Sequence, residues 1–123
     1  FDYLFDAGSI DISGDSAIDI DDATAIPSNA LTGYITLESS NATESIDQLA
    51  NMAEGLPVRF FADAGLKVTF ESNNLDVGSV SDPLQPRCLG GVNITIDGDY
   101  HEWIEFTKTD GDIVQTNSGI YTL

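Results

Sequence analysis

The stretch Val58-Arg-Phe-Phe-Ala-Asp-Ala-Gly-Leu-Lys-Val-Thr-Phe70 decides the fold class, because two runs of β-branched and aromatic residues flank a turn containing Gly65. Val68 and Phe70 alternate with Lys67, Thr69 and Glu71, the two-residue period of a strand with one buried and one wet face. The spacing predicts a β-hairpin with Gly65 at positive φ. The same pattern recurs outward, at Tyr34-Ile-Thr-Leu37 before it and at Val92-Asn-Ile-Thr-Ile96 and Tyr100-His-Glu-Trp-Ile-Glu-Phe106 after it. Asp97-Gly98 and Asp110-Gly111 fall between strand-like runs, and Asp-Gly favours tight turns, so a three-stranded meander is expected over 92–116. Trp103, Ile104 and Phe106 lie on both parities, which predicts a middle strand covered on both faces.

The first thirty residues hold Asp2, Asp6, Asp11, Asp15, Asp19, Asp21 and Asp22 with no Lys or Arg. Within them, Ser9-Ile-Asp-Ile-Ser13 and Ser16-Ala-Ile-Asp-Ile20 alternate around Gly14-Asp15 as a half-buried hairpin would. Residues 41–55 support two readings. Asn41-Ala-Thr-Glu44 resembles a capping box, and Ile46, Leu49, Ala50 and Ala53 share a helical face, which predicts a short helix near 43–54. Against that stands a short strand over 44–49, followed by a turn into Val58. The longest interruption, 73–91, is bracketed by Pro83, Pro86 and Gly90-Gly91. The expected architecture is an all-β, small antiparallel sandwich or barrel-like module at 33–123, preceded by an extended acidic N-terminal arm at 1–32.

At 123 residues the chain has the length of one domain, and 41% hydrophobic residues suffice for a core. Four Lys plus Arg against 21 Asp plus Glu leave a net charge of −17. That balance argues against nucleic acid and against an anionic membrane as partners, and it keeps a crowded surface soluble. Cys88 is the only cysteine, so no disulfide forms within the chain, and a buried thiol is expected. The chain opens on Phe1 rather than Met, as expected of a processed N-terminus or of a piece of a longer chain.

No catalytic, cofactor-binding or metal-ligating set emerges. Asp11-Ile-Ser-Gly-Asp15 lacks the alternating ligands and terminal Glu of an EF-hand, and the two Asp-Gly-Asp runs read as turns. His101, the only histidine, is expected mid-strand beside Trp103 in a packing role. The sequons at Asn41 and Asn93 would matter only in a eukaryotic secretory protein. A non-enzymatic chain without cofactors is therefore expected.

Gly33-Tyr-Ile-Thr-Leu37, Thr43-Glu-Ser-Ile-Asp-Gln-Leu49, Glu54-Gly-Leu-Pro-Val-Arg-Phe60 and Gly65-Leu-Lys-Val-Thr-Phe70 follow in an order similar to a module of virion surface proteins of tailed bacteriophages. Gly91-Val-Asn-Ile-Thr-Ile-Asp-Gly-Asp-Tyr100 and Trp103-Ile-Glu-Phe106 resemble that module's closing strands. The resemblance covers 33–116 and rests on apolar strands and glycine turns. It implies a domain of a tail fibre, a tail spike or a capsid decoration, on the virion surface, usually a homotrimer contacting other virion proteins. It also favours the strand over the helix near 43–54. In that setting Phe1, Tyr3, Leu4 and Phe5 are the expected anchors of the arm on a neighbour, and a cell-surface receptor or glycan is a further expected partner. Two rival readings are a secreted carbohydrate-binding module stacking sugars on Tyr34, Tyr100, Trp103 or Tyr121, and a calcium-dependent adhesive domain.

Overall fold

A computed structural model describes residues 6–24, 33–73 and 84–121. Ten strands account for most of them: β1 (Asp6–Asp11), β2 (Ala17–Asp19), β3 (Gly33–Glu38), β4 (Thr43–Ile46), β5 (Gln48–Ala50), β6 (Val58–Ala62), β7 (Lys67–Phe70), β8 (Ile94–Asp97), β9 (Trp103–Thr109) and β10 (Asp112–Gly119). The protein is an all-β small domain. Among the described residues the helical elements are single 3-10 turns at Ile20–Asp22, Leu89–Gly91 and Gly98–Tyr100.

The strands form a five-stranded sheet in the order β1-β3-β6-β9-β10, a three-stranded sheet β4-β7-β8 and the pair β2-β5. β1 runs parallel to β3 and β3 parallel to β6, with Gly33 opposite Val58 and Ile35 opposite Phe60. β2 is parallel to β5, and β4 to β7. The chain therefore winds in coils that lie on one another. β1, β3 and β6 of the long sheet are each followed by a passage along a shorter one, and the Leu49 N–H donates to the Leu84 carbonyl at 2.8 Å. This is the arrangement of a short β-solenoid. Its last turn is closed by antiparallel strands: β8 on β7, β9 on β6, and β10 on β9.

Pairing is thus mixed rather than antiparallel, and several sequence expectations change with it. The two alternating runs before Gly33 are strands but not a hairpin. The chain turns a corner at Ile12–Asp15, where the Asp15 N–H donates to the Ile12 carbonyl, and each run pairs with a later coil. The segment before Gly33 places Ile10, Ile12, Ile18 and Ile20 in the same core as the later coils. β6 and β7 likewise do not pair with each other. Residues 63–66 carry the chain from one sheet to the other, with Gly65 at φ 83°. Period-two alternation is identical in parallel and antiparallel strands, so it could not distinguish these pairings.

Residues 43–54 hold β4 and β5 in place of a helix. Asn51 at φ 66° would break a helix there, and Asn41 and Glu44 meet in a turn, Nδ2 to Oε2 at 2.9 Å. The expected meander is half present. Asp110 and Gly111, at φ 51° and 84°, make the tight turn joining β9 to β10. Asp97-Gly98 instead opens a 3-10 turn that moves the chain between sheets, so β9 begins at Trp103 rather than Tyr100.

Side chains stack in columns inside the coils. Ile35, Phe60 and Ile104 share one row of the long sheet, Ile46, Phe70 and Ile94 one row of the shorter, and Ile18 faces Leu49. Phe60, Phe70 and Phe106 are fully buried and meet with ring centroids 5.4–6.3 Å apart. Glu44 occupies the row of Val68 and Ile96, on β4 at the end of the β4-β7-β8 sheet among the described residues. Its Oε2 accepts from the Ser39 hydroxyl, the Asn41 amide and the Gly14 N–H.

Hydrogen bonds from Ser39, then Asn41, hold the Glu44 carboxyl below its ordinary value. A depressed folded pKa contributes stability above the unfolded value, and that contribution disappears as pH falls through the folded pKa. Glu44→Gln should lower the melting temperature at pH 7 and flatten the acid limb relative to the parent chain. Comparing the two chains separates this effect from the relief of self-repulsion that acid brings to both. A second outcome concerns Gly98, where a methyl group would overlap the Asp63 carbonyl. Gly98→Ala should cost about 1–3 kcal/mol in chemical denaturation, the usual penalty for forcing atoms into a packed site.

Candidate functional site

The long sheet has two faces, and the outer one carries aromatic rings. Alternation along β3, β6 and β9 sends Ile35, Phe60 and Ile104 inward and leaves Tyr34, Thr36, Arg59, Phe61, Trp103 and Glu105 on the other side, all half-buried. Register sets them in two rows. Thr36 lies opposite Phe61 and Phe61 opposite Trp103, while Tyr34 lies opposite Arg59 and Arg59 opposite Glu105.

The rings touch across the strands. Tyr34 meets Phe61 edge to face, centroids 5.7 Å apart at 77°, and Phe61 meets Trp103 at 6.5 Å. Arg59 bridges the rows: its guanidinium lies 3.8 Å from the Trp103 ring centre, and its Nη2 donates to Glu105 Oε2 at 3.2 Å. A cation over an indole face with a carboxylate beside it fixes the plane of both groups. Gly119, opposite Trp103 on β10, leaves room for the indole, since a methyl there would overlap the ring.

Beside this row lies a depression of about 430 Å³, whose lining includes Tyr34, Thr36, Phe61, Asp63, Gly98 and His101. Its rim is pinned by backbone bonds. The Asp63 N–H donates to the Leu37 carbonyl at 2.9 Å, the Asp63 carbonyl accepts from the Leu66 N–H, and Gly98 is pressed against that same carbonyl. His101 stands exposed at the rim in left-handed conformation, φ 54°, closing the 3-10 turn. The expected mid-strand packing role therefore does not apply to it. Among the described residues neither the Asp63 carboxylate nor the His101 imidazole makes a hydrogen bond. Chemically, the depression offers aromatic surface from Tyr34 and Phe61, with a carboxylate, an imidazole and the Thr36 hydroxyl among its lining residues.

Of the sequence-predicted residues, Phe1, Tyr3, Leu4 and Phe5 lie outside the described part. Tyr34 lines the depression, and Trp103 stands next to Phe61 with Arg59 on it. Tyr100 and Tyr121 are exposed, at 55% and 62%, and are not part of its lining. Phe61, Asp63 and His101 were missed as a group because Tyr34 and Thr36 reach Phe61 through the parallel register of β3 and β6, and His101 reaches Asp63 through the 3-10 turn that presses Gly98 on the Asp63 carbonyl.

Several other carboxylates serve turns. Asp97 accepts from the Asp99 N–H, Asp99 from the Gly65 N–H, and Glu54 from the N–H groups of Asp110 and Gly111. Ser13, through its hydroxyl and its N–H, holds the Asp11 carboxyl below its ordinary value. Among the described residues no cluster of three or more His, Cys, Asp or Glu converges as metal ligands would. Cys88 is buried, and burial pushes its thiol pKa up, as for an unreactive core cysteine.

No protein-family model, curated protein or solved structure matches the chain.

Trp103 is the single tryptophan, so its emission reports on this face alone. Arg59→Met should remove the stacked guanidinium and the Glu105 pair, shifting the emission and lowering stability by about 1–2 kcal/mol. An unchanged spectrum would mean that Arg59 does not rest on Trp103 in solution.

Proposed function

We propose that the chain is a non-enzymatic structural module of the virion surface of a tailed bacteriophage, in a tail fibre, a tail spike or a capsid decoration. The observation that carries the reading is the winding of 33–70 into stacked coils closed by β8, β9 and β10. These are the segments whose order resembles the phage module, and stacked coils make a stiff element that holds a surface away from its attachment point. The strongly acidic composition suits a surface that stays soluble at high local concentration.

In this reading the chain works as a homotrimer beside other capsid or tail proteins, with the first residues docking on a neighbour. A small β-rich chain without a disulfide and with strong self-repulsion gains security by sharing apolar surface with copies of itself.

Two measurements test the reading. Light scattering at near-physiological salt should give the mass of three chains, and a stable monomer would remove the trimeric part of the proposal. An antiserum raised on the purified chain should decorate intact phage particles in electron microscopy. Abundant chain in infected lysates with none on particles would exclude a virion role.

A further inference from the structure

We propose that the depression on the outer face of the long sheet is a binding site for an uncharged glycan, with one pyranose ring held on Tyr34 and Phe61. The inference needs only the isolated chain and stands apart from its place on a virion.

Three observations converge on a sugar. The first is shape: about 430 Å³ falls within the range of small-ligand sites, roughly 300–1,000 Å³. A standard protein interface spreads over about 800 Å² on each partner, far more than this confined hollow presents. The second is the lining. Tyr34 and Phe61 stand at 77° to one another and give the hollow two aromatic surfaces of different orientation. Pyranose rings carry apolar C–H patches that rest on such surfaces, while their hydroxyls need partners at the edge. Asp63 supplies a carboxylate for a pair of neighbouring hydroxyls, and Thr36 and His101 supply groups that both donate and accept.

The third observation is charge. The chain carries −17, and Asp63 places one of those charges on the rim. Uronic, sialic and sulfated sugars would enter against that field, so the site selects uncharged rings. The site is also built before any ligand arrives. Phe61 shares a strand with the buried Phe60, the Asp63 backbone is tied to Leu37 and Leu66, and Gly98 abuts the Asp63 carbonyl. Little conformational freedom is lost when a sugar binds such a surface.

The test is nuclear magnetic resonance of the isotope-labelled chain titrated with the methyl glycosides of glucose, galactose, mannose and N-acetylglucosamine, with glucuronate as the charged control. At least one neutral glycoside should shift resonances of Tyr34, Thr36, Phe61, Asp63, Gly98 and His101 in the millimolar range, and glucuronate should bind more weakly. Asp63→Asn, a change at an exposed loop position, should weaken binding about tenfold, the equivalent of about 1.4 kcal/mol, without altering the rest of the spectrum. Tyr34→Leu keeps an apolar strand residue and should abolish the shifts. Silence toward all four neutral glycosides, shifts that map elsewhere, or equal binding by Asp63→Asn would each overturn the proposal. Loss of the same resonances through self-association, with no response to sugar, would overturn it in favour of an interface between copies of the chain.

Discussion

The contact of Phe60, Phe70 and Phe106 is what the rest of the domain depends on. The rings come from β6 and β9 of the long sheet and from β7 of the shorter one, and all three are fully buried. β6 and β7 share no ladder, and among the described residues the chain passes between these sheets at 39–42, at 63–66, at the 3-10 turn Gly98–Tyr100 and through Arg87, which bonds to β10 ahead of β8. Side-chain packing must do the remainder. Deleting one buried phenylalanine ring typically costs about 3–5 kcal/mol, a large share of the roughly 5–15 kcal/mol that holds a domain folded. The columns above and below the cluster extend the same principle coil by coil, as Ile46 meets Phe70 and Ile35 meets Phe60.

A chain this acidic must also place its carboxylates where they help. Many of them accept backbone N–H groups at corners: Asp6 from Gly8, Asp11 from Ser13, Asp19 from Asp21, Asp97 from Asp99. Each of these bonds spans two residues, the Asx geometry that only a short side chain reaches, which is the physical reason the chain prefers Asp to Glu at its corners. Three Glu residues that act similarly reach farther, Glu44 to Gly14, Glu54 to Gly111 and Glu102 to Tyr121. The sheet edges are protected at points as well. On β1, Ser9 exchanges bonds with Thr24, and on β10 the outward groups of Ile113 and Gln115 are bonded by Arg87. A solenoid of few coils has long edges for its size, and covering them limits strand addition by other chains.

The existence of the strands was legible because alternation of buried and wet residues is local. Their partners were not, since the same alternation serves either direction of pairing, and the coil repeat carries no shared motif that a single sequence makes visible. Asp110-Gly111 was readable because both residues must take positive φ. Asp97-Gly98 looked the same in sequence but has another cause, the close approach of Gly98 to the Asp63 carbonyl. That turn also explains His101, which the sequence places beside Trp103 by parity, whereas the 3-10 turn takes it out of the strand altogether. For the site, Tyr34 and Trp103 stood out as aromatics, yet Phe61 and Asp63 join them only through the registers of β3 and β9 against β6.

The core and the outer site are therefore two sides of one construction. Adjacent residues on β3, β6 and β9 face opposite ways, so the register that stacks Ile35, Phe60 and Ile104 inside also sets Thr36, Phe61 and Trp103 in line outside. A slip of one residue in either pairing would expose the core row and bury the outer one, with the full cost of apolar exposure. The aromatic face is held by the same free energy that holds the fold. Its rim is less constrained by the ladder and is fixed separately, by Gly98 against Asp63 and by the two backbone bonds of Asp63. Floor and rim thus have independent supports, and substitutions at Asp63 or His101 can alter the chemistry of the rim while leaving the register of the rings intact.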